Sequence, residues 1–320
     1  MSKISIIGAG NVGATAAMKI ASDCIANEVV ILDIKEGVAE GKAMDIMQSL
    51  MMTGTDTIVK GVTNDYSATA DSDVIVITSG VPRKPGMTRE ELVGINSNVM
   101  KQVLEGTTKY SPNAKYLVVS NPMDTMTQMV LNYLGVENAN RVIGMGGILD
   151  SARFTYNIFM KLQKKYPDVF SCEEINAMVI GGHGDTTMIP MVHKATVCGK
   201  PIKDYLSDEE IAEIVDKTMR GGAILTNMLG TSAWTAPAQG ITEMVAMLLL
   251  DDPDDENTEP IDVAASVYRP EYGCCIGSHV WVGINGVAKI FDDEKNDAVL
   301  DKYLASIAAV KKVNAALPTV

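Results

Sequence analysis

Three histidines occur in this chain, His183, His193 and His279, and one stands where an imidazole can do chemistry. His183 lies in Ile180-Gly181-Gly182-His183-Gly184-Asp185, directly after an apolar run. Glycines on both sides leave its ring open, which suits a base facing a substrate better than a core residue. His193 and His279 sit in apolar or strand-like contexts and read as structural. A second group is Asp150-Ser151-Ala152-Arg153. An aspartate can orient an imidazole and stabilise its cation, and an arginine offers a planar fork to a carboxylate. Asp150 also reads simply as the N-cap of the helix that follows. A third group, Gly80-Val81-Pro82-Arg83-Lys84-Pro85-Gly86-Met87-Thr88-Arg89, sets three cations in a loop with proline and glycine. It is either a basic surface loop or a lid that closes on an anion.

The chain also carries a phosphate-binding signature, Gly8-Ala9-Gly10-Asn11-Val12-Gly13, between an apolar run and a helical pattern. Gly8 permits a tight turn, Gly10 lets the backbone approach a pyrophosphate, and Gly13 lets the helix pack close to the sheet. The free N–H groups and positive end of that helix favour phosphates. Asp33 follows twenty residues after Gly13. A carboxylate there accepts hydrogen bonds from both hydroxyls of an adenosine ribose and repels a 2′-phosphate, so the expected cofactor is NAD rather than NADP.

The elements that must position these groups fall into two regimes. Strands are expected over 3–7, 28–32, 57–61, 73–78, 116–120 and 141–144, alternating with helices over 12–23, 38–51, 90–108 and 124–134. Such alternation, with nearly continuous apolar strands, predicts a parallel sheet covered on both faces and wound in both directions, a Rossmann α/β fold. After Gly147 the rhythm changes to α+β. Helices are expected over 150–165, 207–220, about 242–250 and 293–316. Strands are expected over 177–180 and 194–198, followed by a pair over 279–284 and 287–291 joined by Asn285-Gly286 as a two-residue turn. The expected units are thus a nucleotide-binding domain over 1–146 and a catalytic α+β domain over 147–320.

Composition narrows the partners. The 320 residues have a net charge of −13, with 47% hydrophobic and 21% charged residues, an ordinary globular balance. That acidity argues against nucleic acid or an anionic membrane as the main partner, but not against a small anion held by local cations. No apolar run approaches the ~18 residues of a membrane span, and no secretory leader is expected. Five cysteines with no C-x-x-C pair argue against a disulfide framework or a zinc knuckle, so the expectation is a cytoplasmic protein without a metal. Residues 251–259 carry six acidic and no basic side chains, and read as a solvated loop. On helix 38–51, Met44, Met47 and Met51 form one stripe while Ile46 and Leu50 lie on another. Apolar residues on two faces predict burial against both the sheet and a second protomer, hence a homo-oligomer, dimer or tetramer.

Taken together, the fingerprint with Asp33, the loop Arg83-Lys84-Pro85-Gly86-Met87-Thr88-Arg89, Ser120-Asn121-Pro122, Asp150-Ser151-Ala152-Arg153 and Gly182-His183-Gly184-Asp185 make the chain similar to the lactate/malate dehydrogenase family over essentially its whole length. The basic loop resembles that of the malate-specific members of the lactate-dehydrogenase-like group. The resemblance implies NAD-dependent interconversion of (S)-malate and oxaloacetate. It implies that His183 is the proton acceptor, Asp150 its partner, Arg153 the ligand of the C1 carboxylate, and Arg89 a polariser of the C2 oxygen that comes down with the lid. Asn121 would bind substrate near the nicotinamide. Gly8, Ala9, Gly10, Asn11, Val12, Gly13 and Asp33 would hold the cofactor with Asn96, Val119, Ser120 and Asn121. The family also adds a small polar residue to the pocket, for which Thr231 and Ser232 both remain open.

Arg83 selects the substrate in this reading. Lactate enzymes of the family usually carry a neutral glutamine at this loop position. A guanidinium facing a pyruvate methyl is an unpaired charge, whereas the second carboxylate of oxaloacetate neutralises it. The competing readings are a lactate or broader 2-hydroxy acid dehydrogenase, an NAD-dependent glycosidase-like hydrolase, and a non-catalytic NAD sensor. The hydrolase would need a cysteine–histidine metal site, and Cys172 and Cys198 flank His183 without convincing ligand spacing. The sensor would leave a base, its aspartate and three arginines without a purpose.

Overall fold

A computed structural model describes residues 2–81, 87–249 and 260–319. Arg83, the side chain of Arg89 and the acidic segment 251–259 lie outside the described residues. The first half runs β1 (Lys3–Ile7), α1 (Asn11–Ser22), β2 (Glu28–Asp33), α2 (Val38–Thr53), β3 (Ile58–Thr63), β4 (Val74–Ile77), α3 (Arg89–Tyr110), β5 (Lys115–Val118), α4 (Met123–Leu134) and β6 (Val142–Gly144). These six strands are parallel in the order β3-β2-β1-β4-β5-β6, as the alternation predicted. Every residue of Val74-Ile75-Val76-Ile77 is buried because helices cover both faces of this strand. The small residues Ala14, Ala16, Ala17 and Ala21 let α1 lie close to the sheet. A capping box starts α3, in which Thr88 Oγ1 accepts the Glu91 N–H and Glu91 Oε2 accepts the Thr88 N–H at 2.8 Å.

The second half runs α5 (Gly146–Lys165), β7 (Ile175–Asn176), β8 (Val179–Gly181), β9 (Met188–Pro190), β10 (Thr196–Val197), β11 (Lys200–Pro201), α6 (Asp208–Met219), α7 (Gly221–Leu229), α8 (Thr235–Leu249), β12 (Ile261–Arg269), β13 (Cys274–Gly283), β14 (Gly286–Ile290) and α9 (Leu300–Asn314). The parallel sheet does not end at β6. It continues through β12, β13, β8 and β9, with Ser266 of β12 paired antiparallel to Gly144 of β6. A separate small sheet holds β11-β10-β7. Helices α1, α2 and α8 share one apolar core with one face of the sheet, and α3 and α4 share another with the opposite face.

Several expectations need correction. Helix α5 begins at Gly146, so Asp150 lies inside it and is not its N-cap. Strand β12 and helix α7 were not foreseen. Helix α8 starts seven residues earlier than expected, because Pro237 falls in its first turn, where a missing N–H costs nothing. The closing helix starts at Leu300, after a short 3-10 turn over Asp293–Lys295. The hairpin pairs Gly283 with Gly286, so its loop residues are Ile284 and Asn285. Gly286 is at φ +84°, and a Cβ there would overlap the Asn140 carbonyl. On α2, Ile46 and Leu50 are buried and Met44 and Met51 are exposed, but Met47 packs against the core.

Candidate active site

The crevice lies at the carboxyl ends of β1, β4 and β5, where main-chain bonds tie three turns together. Ser79 donates its N–H to Ile7 O at 2.8 Å, Val119 donates to Ile77 O at 3.0 Å, and the Ser120 hydroxyl also reaches Ile77 O at 3.2 Å. Gly8 adopts φ +115°, and a Cβ there would press on Thr78 Oγ1 and Ser79 N at 2.8 and 2.9 Å. A Cβ on Gly13 would overlap the Gly8 carbonyl, which fixes how closely α1 meets β1. Around Gly10 there is nothing within 4 Å of such a Cβ. The space before the α1 N-terminus is therefore open, and no side chain caps that helix. Gly10 and Asn11 are exposed there, and Ala9 and Val12 sit just behind them. This cradle fits a pyrophosphate.

Asp33, at the end of β2, accepts the Ala9 N–H on Oδ2 at 2.7 Å and the Lys35 N–H on Oδ1 at 2.9 Å. Two main-chain donors fix the carboxylate, and its remaining lone pairs can take ribose hydroxyls. Asn96, on α3, is committed to main chain. Its Nδ2 donates to Asn121 O at 2.6 Å and Val81 O at 3.2 Å, while Oδ1 accepts the Val81 N–H at 2.8 Å. It thereby joins the root of the basic loop to the Asn121 turn. Asn121 itself is exposed at the crevice, beside buried Ser120 and half-buried Val119.

The second-half residues converge on the same place. His183 follows β8, and its Nδ1 lies 2.6 Å from Asp150 Oδ2. The other oxygen, Asp150 Oδ1, accepts Arg153 Nη1 at 2.8 Å. One carboxylate with a 3% exposed side chain thus serves an imidazole and a guanidinium that are 18% and 17% exposed. With Nδ1–H donated to Asp150, Nε2 is the nitrogen left to exchange a proton with substrate. Burial opposes the imidazolium, but the charge and hydrogen bond of Asp150 outweigh it, with help from Asp124, and raise the His183 pKa above its ordinary 6.5. The buried Nε of Arg153 has no protein partner, a donor available to a carboxylate. Gly221 and Gly222, at the start of α7, lie over this guanidinium, and a Cβ on Gly221 would sit 3.1 Å from Arg153 Cδ.

The ring of His183 has its own cradle. A Cβ on Gly146 would lie 2.6 Å from His183 Cγ and 2.7 Å from Nδ1, so only glycine leaves room for the imidazole. The structure adds Asp124 and Ser266, which the sequence reading passed over. Asp124 Oδ2 accepts the main-chain N–H of His183, and Oδ1 accepts the Ser266 hydroxyl, each at 2.7 Å. The available signal was an acid just after Asn121-Pro122, which reads as an ordinary first-turn helix residue. Thr231 and Ser232 are both exposed in the loop between α7 and α8.

Comparison with known proteins agrees with this geometry. The pattern for the lactate/malate dehydrogenase NAD binding domain matches residues 2–144, and that for the lactate/malate dehydrogenase alpha/beta C-terminal domain matches residues 148–315. The malate dehydrogenase of Bacteroides fragilis is 51% identical, with 100% of this chain and 99% of the relative covered. Among solved structures, malate dehydrogenase from Picrophilus torridus superposes with a TM-score of 0.89 at 39% identity, covering 98% of this chain and 96% of that one. Lactate dehydrogenase from Cryptosporidium parvum, complexed with lactic acid and the dinucleotide, reaches the same TM-score of 0.89 at 32% identity, covering 99% and 98%. A shared scaffold, an NAD-binding half and full-length identity of this order have one reading: the chain belongs to the lactate/malate dehydrogenase family.

Proposed function

We propose that this chain is an NAD-dependent malate dehydrogenase that interconverts (S)-malate and oxaloacetate. The observation that carries the reading is Asp150 shared between His183 and Arg153, which sets a proton-accepting Nε2 beside an unpartnered guanidinium N–H. When bound, the nicotinamide takes a hydride from C2 of the hydroxy acid and returns it to the keto acid. Gly8, Gly10, Gly13 and Asp33 would hold the dinucleotide, with Asn96, Val119, Ser120 and Asn121 shaping the nicotinamide end. Arg153 binds the C1 carboxylate. In oxidation, neutral His183 Nε2 accepts the hydroxyl proton while Asp150 stabilises the cation that forms. In reduction, protonated His183 and Arg89 stabilise charge developing on the carbonyl oxygen. Arg83 pairs with the second carboxylate. We place the nucleotide-binding domain at 1–146 and the catalytic domain at 147–320.

The test is steady-state oxidation of NADH, compared with NADPH, on oxaloacetate and pyruvate. Oxaloacetate with NADH is expected to be preferred, and a preference for pyruvate would overturn the reading. The sign of the pH dependence follows from His183. A raised pKa keeps the imidazolium to higher pH, so kcat/KM for reduction holds above 6.5 and falls as pH climbs through the folded value. For malate oxidation, kcat/KM rises through the same value. Profiles with both limbs running the opposite way would exclude His183 as the acid and base.

We also infer a homo-oligomer. Met44, Met51 and Met52 of α2 are 64%, 63% and 83% exposed, with Met18 of α1 at 41%, an apolar face that a second copy would cover. Light scattering is expected to give at least twice the 34.2 kDa of one chain, and a monomer alone would refute this. No helix among the described residues is long and apolar enough to cross a membrane. All five cysteines are free thiols, which supports a reducing cytoplasm, and recovery of the protein from a secreted fraction would contradict it.

A further inference from the structure

The roles above leave unused the buried carboxylate beside the site, Asp124. Asp124 is the second residue of α4, three residues after Asn121, and is 6% exposed. Its oxygens accept the His183 main-chain N–H and the Ser266 hydroxyl, both at 2.7 Å. Ser266 is fully buried on β12 opposite Gly144. The surroundings are cut to fit, since a Cβ on Gly144 would lie 2.6 Å from Thr127 Oγ1 and 2.9 Å from Ser266 Cβ. Burying a charge is costly unless donors compensate it. Here burial still raises the Asp124 pKa above the ordinary carboxylate value, and two donors and the positive end of α4 offset only part of that cost. A neutral acceptor would hold the same N–H at less cost, so the charge itself calls for a purpose. The charged and titratable groups facing it are His183, Asp150 and, beyond them, Arg153, with the thiols of Cys274 and Cys275 on β13. Among them, only the imidazole must gain and lose a positive charge in each turnover.

We propose that Asp124 is a positioning residue of the dehydrogenase reaction. It locks the main chain of His183 to the helix that begins at the Asn121 turn, so base and nicotinamide end keep one spacing. It also sets a second carboxylate beside the His183 turn, whose charge adds to that of Asp150. A base held to a turn of a different strand cannot drift relative to the bound substrate, and small misplacements of this kind cost large factors in rate.

The inference rests on the malate dehydrogenase reading, and the wild-type assay keeps the two apart: no turnover of oxaloacetate by wild type overturns that reading itself. The test variant is Asp124→Asn, whose amide oxygen can still accept the His183 N–H and whose NH2 can donate to Ser266. It removes the charge and keeps the shape. It is expected to lower kcat about tenfold or more, leave KM for NADH within about twofold, and move the falling limb of the reduction profile to lower pH. A purely structural role would not move that limb, and an unmoved limb in a folded Asp124→Asn overturns the proposal whatever kcat does. Should that variant not fold, Ser266→Ala carries the test. It frees one oxygen of the carboxylate and is expected to lower kcat severalfold, and a wild-type kcat there overturns the proposal.

Discussion

Replacing His183 with alanine is expected to lower oxaloacetate turnover by about 10³-fold while NADH still binds. A positioned general acid or base contributes about 10²–10⁴ in rate, and His183 is the one imidazole held by a carboxylate at the crevice. The fold should survive the change. Removing the ring leaves Asp150 paired with Arg153 Nη1 at 2.8 Å, so the buried carboxylate keeps a cation. The cradle at Gly146 then becomes a space that water can enter. In the proposed reading the dinucleotide is held by the β1–α1 turn and Asp33, away from the imidazole. Absorbance assays give kcat, and quenching of NADH fluorescence gives binding. A rate within tenfold of wild type would mean that the proton travels by another group.

The second large effect concerns the substrate. Arg83→Gln is expected to cut kcat/KM for oxaloacetate several hundredfold or more while kcat/KM for pyruvate changes little. A charge partner left alone in a closed site costs roughly 3–5 kcal/mol, and each 1.36 kcal/mol is tenfold in rate. The scaffold cannot make this choice, because a lactate and a malate enzyme superpose on the chain equally well, each with a TM-score of 0.89. Discrimination between a methyl and a carboxylate must then reside in a few side chains, and a guanidinium is the one whose energy changes most between them. Equal losses on both substrates would show that Arg83 does not discriminate.

What the sequence made legible follows from the strength of local patterns. The parallel half was readable because strand, glycine turn and helix repeat within it, and because a strand such as Val74–Ile77 is apolar on both faces. The cluster of His183, Asp150 and Arg153 was readable because glycines isolate His183 and because Asp150 and Arg153 share a helix face. The failures have physical causes. Asp150 looked like a cap because Gly146-Gly147 looked like a break, yet those glycines belong to the helix. Gly146 makes room for the imidazole, and a Cβ on Gly147 would press on Ala264 O at 2.5 Å. Helix α7 was hidden by Gly221-Gly222, which lie over Arg153, where a Cβ on Gly221 would sit 3.1 Å from Cδ. Strand β12 shows no alternation, because five consecutive residues from Val263 to Val267 are buried. Asp124 was invisible as a site residue because its partners, His183 and Ser266, are 59 and 142 residues away.

The pairing of Ser266 with Gly144 carries a consequence for how such enzymes can be taken apart. The two family patterns meet between residues 144 and 148, but the hydrogen-bonded sheet does not divide there. Residues of β12 complete the edge that β6 would otherwise leave bare, and an unpaired edge invites association with other chains. The two halves are therefore not interchangeable modules on a flexible joint. Grafting the nucleotide half of one relative onto the catalytic half of another must preserve the seam where glycine faces serine. That seam also carries the hydroxyl that reaches Asp124 and, through it, the base. Sheet continuity and the placement of the proposed base are in this sense the same constraint.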